Sequence, residues 1–139
     1  MKYLFSDKAA IVASLVAVMD HRRHDRALSI SGFKTRCVRR GEIHEFLLCM
    51  APPENDASPI DEVTYLGFAE IQTPGVIAVG DRVVLGEAQV GTIYGFDDTH
   101  MPNHMNIVLE GTSLKNGAER GLRVTQSLYI NPPHEEKSP

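Results

Sequence analysis

Eight residues, Asp97 to His104 (DDTHMPNH), bring together two carboxylates, two imidazoles and an amide. Asp98, His100 and His104, with Asp97 beside them, offer the nitrogen and oxygen donors that a divalent first-row metal prefers. Such a metal would activate water or polarise a carbonyl, so the cofactor this stretch implies is a divalent cation serving a small metal-dependent enzyme. His100 and His104 stand four apart, as in a helical HxxxH pair, but Pro102 between them disfavours a helix, and a loop would have to gather the ligands. The plainer alternative is a turn built on Asp97 and Asp98, with Pro102-Asn103 restarting a strand.

A second constellation is HRRHDR, residues 21–26. Arg22, Arg23 and Arg26, joined by Arg36, can grip a phosphate or carboxylate with forked hydrogen bonds. Residues 21–40 hold seven of the 14 Lys and Arg but one of the 18 acids, in a chain whose net charge is -4. A local basic patch on an acidic chain suits a small anionic ligand or a protein partner. It lacks the interleaved aromatics of a nucleic-acid groove, so no nucleic acid is expected.

A third lies in residues 34–50, which read as a hairpin turning at Arg39-Arg40-Gly41. A three-residue loop sets Arg36 opposite His44, an anion-holding pair. A two-residue loop sets Cys37 opposite His44, the arrangement that activates a thiolate. Against both stands the position of His44 on a face with Phe46, Leu48 and Met50, where a histidine is more often a satisfied core residue. Neither register sets Cys37 opposite Cys49. The chain carries no Walker loop, GxSxG elbow, CxxC pair or dinucleotide fingerprint.

The elements that must position these groups read as β. With 139 residues the chain is long enough for one core, expected over residues 1–130, followed by a flexible tail at 131–139. Strand patterns recur at short spacing between turn residues: Ile11 to Met19 (where Ala9, Ala10, Ala13 and Ala17 leave a short helix open), Ala27 to Ile30, Lys34 to Arg39, Glu42 to Met50 and Val63 to Ile71. Residues 51–62, rich in proline and acids, form a loop. Gly80-Asp81 and Gly86-Glu87 punctuate short bent strands up to Asp97. From His104 to Glu110 the alternation puts Met105, Ile107 and Leu109 on one face and His104, Asn106, Val108 and Glu110 on the other. The polar residues Gly111 to Gly121 form a loop, and Leu122 to Ile130 is the last strand. The expected fold is all-β, a small closed or partly closed antiparallel barrel with little helix.

The longest apolar run, Ala9 to Met19, is 11 residues, short of a membrane span. Asp7 and Asp20 flank it and argue against a secretory leader. Two cysteines imply no disulfide framework. The expected location is the cytoplasm, away from membranes, and self-association stays open.

Four segments line up with a known pattern of turn glycines and alternating strands: PGVIAVGDRVVLG, VGTIYGF, DDTHMPNH and HMNIVLEG. Over about residues 74–111 the chain resembles the glucitol/sorbitol-specific IIA component of the bacterial sugar phosphotransferase system. The resemblance puts His104 on a histidine of the family pattern and Glu110-Gly111 on its acid-glycine pair, and it implies a small closed β-barrel. That family's phosphoryl-accepting histidine lies in an HxHG-like segment just before the matched region. Here the corresponding stretch, LGFAEIQTPG (66–75), has no histidine, so phosphotransfer is not carried over. The expectation is a ligand- or partner-binding protein, with the metal-dependent enzyme as the alternative.

Overall fold

The computed structural model describes residues 3–52 and 58–133. Among these there is no helix. The strands are β1 (Ile11–Arg23), β2 (Thr35–Val38), β3 (Ile43–Cys49), β4 (Val63–Thr73), β5 (Gly75–Ala78), β6 (Arg82–Leu85), β7 (Ala88–Asp97), β8 (Asn106–Glu110) and β9 (Ser127–Asn131). Seven of them close into a ring in the order β1-β4-β3-β8-β7-β6-β9, with β9 pairing back onto β1. The remaining two, β2 and β5, form a small second sheet.

The stretch from Ile11 to Arg23 is strand throughout. Ile11, Val12, Val16 and Val18 are β-branched, and burial of Ile11, Ala13 and Leu15 on one face outweighs the helix preference of the alanines. Three register shifts against β4 bend β1 enough to serve both β9 and β4. Gly67 sits at one such bend: a Cβ there would lie 2.2 Å from the Ala17 carbonyl oxygen.

The hairpin expected over 34–50 does not form. The chain does turn at Gly41, whose φ is +91°, but β2 pairs antiparallel with β5 while β3 pairs with β4 and β8. The reason is burial. Phe46 and Leu48 face the ring interior, while Leu47 and Cys49 face outward into a second buried cluster with Val63, Tyr65 and Val108. A strand apolar on both faces needs neighbours on both edges and a cover, which an outlying hairpin lacks. The β3–β8 seam is parallel, so the sheet is not antiparallel throughout.

The cover is a strap, residues 24–34. The strand expected at Ala27 to Ile30 reduces to one bridge, Leu28 with Ile60, bonded in both directions at 2.8 and 3.1 Å. Ser31 N donates to Phe96 O at 2.8 Å. Ile30 lies over Gly95, where a Cβ would come within 2.4 Å of its Cγ2, so glycine is what lets the strap sit on β7.

In the second half the expected alternation holds. Met105, Ile107 and Leu109 join the ring interior with Ile93 and Phe96. Val108, on the opposite face, is buried beneath the strap. The last strand starts later than expected, at Ser127, after Thr125 at φ +77°. Asn131 belongs to β9, and residues 134–139 of the expected tail lie outside the described residues, as do 53–57 of the acidic loop.

Candidate functional site

The four arginines expected to bind an anion are each turned to a carboxylate. Arg22 Nη2 lies 2.6 Å from Glu119 Oε1, and Arg23 Nε lies 3.3 Å from Asp25 Oδ1. Arg26 Nη2 lies 3.3 Å from Asp97 Oδ2, and Arg36 Nη2 lies 2.6 Å from Asp98 Oδ2. The expected anion site is therefore not assembled. Three acids from the second half of the chain, Glu119, Asp97 and Asp98, fold back onto the basic window and offset part of the charge asymmetry seen along the sequence.

Asp97 and Asp98, adjacent in sequence, do different things. Asp97 is 2% exposed. Its Oδ2 accepts hydrogen bonds from Asn106 Nδ2 (2.8 Å) and Arg26, and its Oδ1 accepts one from Thr99 Oγ1 (2.7 Å). Asp98 is exposed and holds Arg36, whose guanidinium lies 5.4 Å from the ring centres of both Phe33 and Phe96. The two ion pairs clip the strap and the start of β2 to the end of β7.

His100 and His104 stack on each other, ring centres 5.1 Å apart, and His104 meets the Phe68 ring edge-on at 5.0 Å. His104 therefore lies on the outer face of the ring, away from the core, but half-buried. Its Nδ1 is 2.8 Å from Asn103 Nδ2. Its Nε2 and the neighbouring Asn106 Oδ1 are both buried without a well-formed hydrogen bond. Burial first, and then the charge of His100, hold the His104 imidazole below its ordinary range. With Asp98 committed to Arg36, the expected set Asp98, His100 and His104 does not converge. Among the described residues no three His, Cys, Asp or Glu side chains stand in metal-binding arrangement.

Glu45 is the unexpected member of this end of the ring. It pairs in register with Phe68 on one side and Asn106 on the other, and is 6% exposed. Burial pushes its carboxyl above the ordinary range, and Arg26 pulls it partly back.

His44 is a satisfied core residue. Its Nδ1 accepts the Met105 N–H at 3.0 Å, and its Nε2 lies 3.6 Å from Glu42 Oε1. It meets neither Arg36 nor Cys37, because those residues pair with Ile77 and Val76 of β5. Both proposed hairpin pairs are thereby removed. Cys37 and Cys49 are free, the first exposed and the second buried.

The concave surface lies elsewhere. A cleft of about 490 Å³ opens between the strap, the β5–β6 turn and the outer face of β7–β8. Ile30 and Val79 give it apolar walls; Lys34, Thr92, Tyr94 and Glu110 give it polar groups. A second cleft of about 310 Å³ shares Thr92 and Glu110 with it. Tyr3 also lines the larger cleft and is fixed by donating to Asp81 Oδ1 at 2.6 Å. Asp81 is fully buried and paired with Lys8.

The profile of one protein family matches residues 5–131. The chain belongs to DUF6917, a family of unknown function. No curated protein and no solved structure matches it. The span matched to DUF6917 takes in all the strands, the strap and every cleft residue named above except Tyr3. Sequence reasoning passed over Lys34, Thr92 and Tyr94 because they come from separate segments with no shared motif. It noted Glu110 only as a strand-face residue and as part of the acid-glycine pair of the resemblance. The one local signal was the Thr92-Ile93-Tyr94 alternation, which puts two polar side chains on the outer face of a buried strand.

Proposed function

We propose that this DUF6917 chain is a small ligand-binding protein, its ring forming a compact β-barrel and its ligand site lying on the outer face, in the cleft beside the strap. One observation carries the reading: apolar walls and four polar side chains from three separate segments converge on a single concavity of about 490 Å³. That size and that mixture are typical of small-molecule sites. The likeness of residues 74–111 to the glucitol-specific IIA component fits a distant relation in fold, without phosphotransfer, since residues 66–75 lack a histidine. Work in the cytoplasm fits the two free thiols.

Thr92 lines both clefts from the outer face of β7, and Tyr is well tolerated in strands. Thr92→Tyr therefore fills the site without touching the core. Calorimetric titration with small polar fragments should give saturable binding to the wild type and none to Thr92→Tyr, with both proteins melting at similar temperatures. Undiminished binding by Thr92→Tyr would place the ligand elsewhere and overturn the reading.

A further inference from the structure

We infer that the cleft takes a zwitterion, specifically a linear molecule with an ammonium at one end and a carboxylate at the other. This rests on reading the cleft as the ligand site. Lys34 supplies its one Lys or Arg charge and Glu110 its one carboxylate. Among the described residues, neither lies within 4.0 Å of an opposite charge.

A lone exposed lysine is ordinary. Two opposite charges lining one concavity without meeting are held apart by the scaffold. The Lys34 carbonyl accepts the Val79 N–H at 2.9 Å, and the neighbouring Arg36–Asp98 clip fixes the strap end. Glu110 is set by its register with Thr92, whose Oγ1 donates to Glu110 Oε1 at 3.3 Å. A bound carboxylate would answer Lys34 and a bound ammonium Glu110, with Ile30 and Tyr94 covering an apolar spacer between them. Lys34 lies at the strap end and Glu110 at the end of β8, so a chain of several carbons, free to adjust its reach, is a better match to the two than an α-amino acid, which carries both charged groups on one carbon.

Three five-carbon probes differ only in their ends: 5-aminopentanoate, glutarate and 1,5-diaminopentane. Each is titrated into the ¹⁵N-labelled full chain while amide shifts are followed. The expected result is saturable movement at Lys34, Thr92, Tyr94 and Glu110 with 5-aminopentanoate alone. Lys34→Met and Glu110→Gln should each weaken it about tenfold, the usual scale for losing one charge-assisted hydrogen bond, while the rest of the spectrum confirms that both variants are folded. If glutarate or the diamine moves the same amides equally well, the zwitterion is overturned and the cleft reading stands. If none of the three moves them, the zwitterion is overturned as well, and the fate of the cleft reading then rests on its own fragment and Thr92→Tyr tests.

Discussion

Two titratable side chains at the end of the ring set how stability responds to acid. Burial raises the Glu45 carboxyl, so as pH rises the folded state gives up its proton later than the unfolded chain does. Stability from this group is full below the ordinary carboxyl range and is lost as pH rises through the raised value. Glu45→Gln should therefore melt several degrees above wild type at neutral pH, and the gap should close near pH 4, about the ordinary value for glutamate. His104 works in the opposite sense. Its imidazole is held low, so the unfolded chain takes up a proton first and stability falls as pH drops below about 6.5, the ordinary histidine value. His104→Gln should flatten that acid limb in a series of thermal melts, and an unchanged slope would remove His104 from the account of acid sensitivity. The cysteines divide similarly by environment. Burial, and then the charge of Glu110, push the Cys49 thiol up to about 12, whereas Cys37 is exposed. A thiol reagent at pH 8 should count one thiol in the native protein and two after denaturation.

At the scale of elements, the strap and the bends of the ring carry the sharpest contrasts. The Arg26–Asp97 pair is buried, with side chains 9% and 3% exposed, and Asp97 also anchors Thr99 and Asn106. Removing one partner of such a pair strands the other and typically costs about 3–5 kcal/mol. Asp97→Ala should cost about that much. Asp98→Ala breaks a pair that is 22% and 48% exposed and should cost no more than about 1 kcal/mol. Urea denaturation of the two variants measures the difference; equal losses would show that the strap is not held as described. Gly67→Ala forces a methyl to within 2.2 Å of a backbone oxygen, which cannot turn aside, and should cost on the order of 3 kcal/mol. Gly32→Ala, with open space around it, is the matched control and should be nearly neutral.

For the molecule as a whole, what could be read in the sequence was local and what could not was long-range. Gly80 and Gly86, at φ +98° and +64°, are the turns that punctuate β5, β6 and β7, and the alternation of Met105, Ile107 and Leu109 located the ring interior. Arg39-Arg40-Gly41 has the chemistry of a hairpin loop, yet the partners of β2 and β3 are β5, β4 and β8. Turn residues report that the chain turns, not which strand it meets afterwards. The same limit hid the cleft. Asp98 and the arginines of 21–40 looked available because their partners lie some 60 to 100 residues away in the cases of Arg36, Arg26 and Arg22. The cleft residues showed no pattern because only the folded ring brings strap, β7 and β8 together. The most direct measurement of whether that convergence is the functional site is to soak crystals of the full chain with a library of small polar fragments and see where they bind. Fragments should gather between Ile30, Tyr94 and Glu110, touching Lys34 or Thr92. Occupancy centred on the stacked His100 and His104, with the cleft left empty, would contradict it.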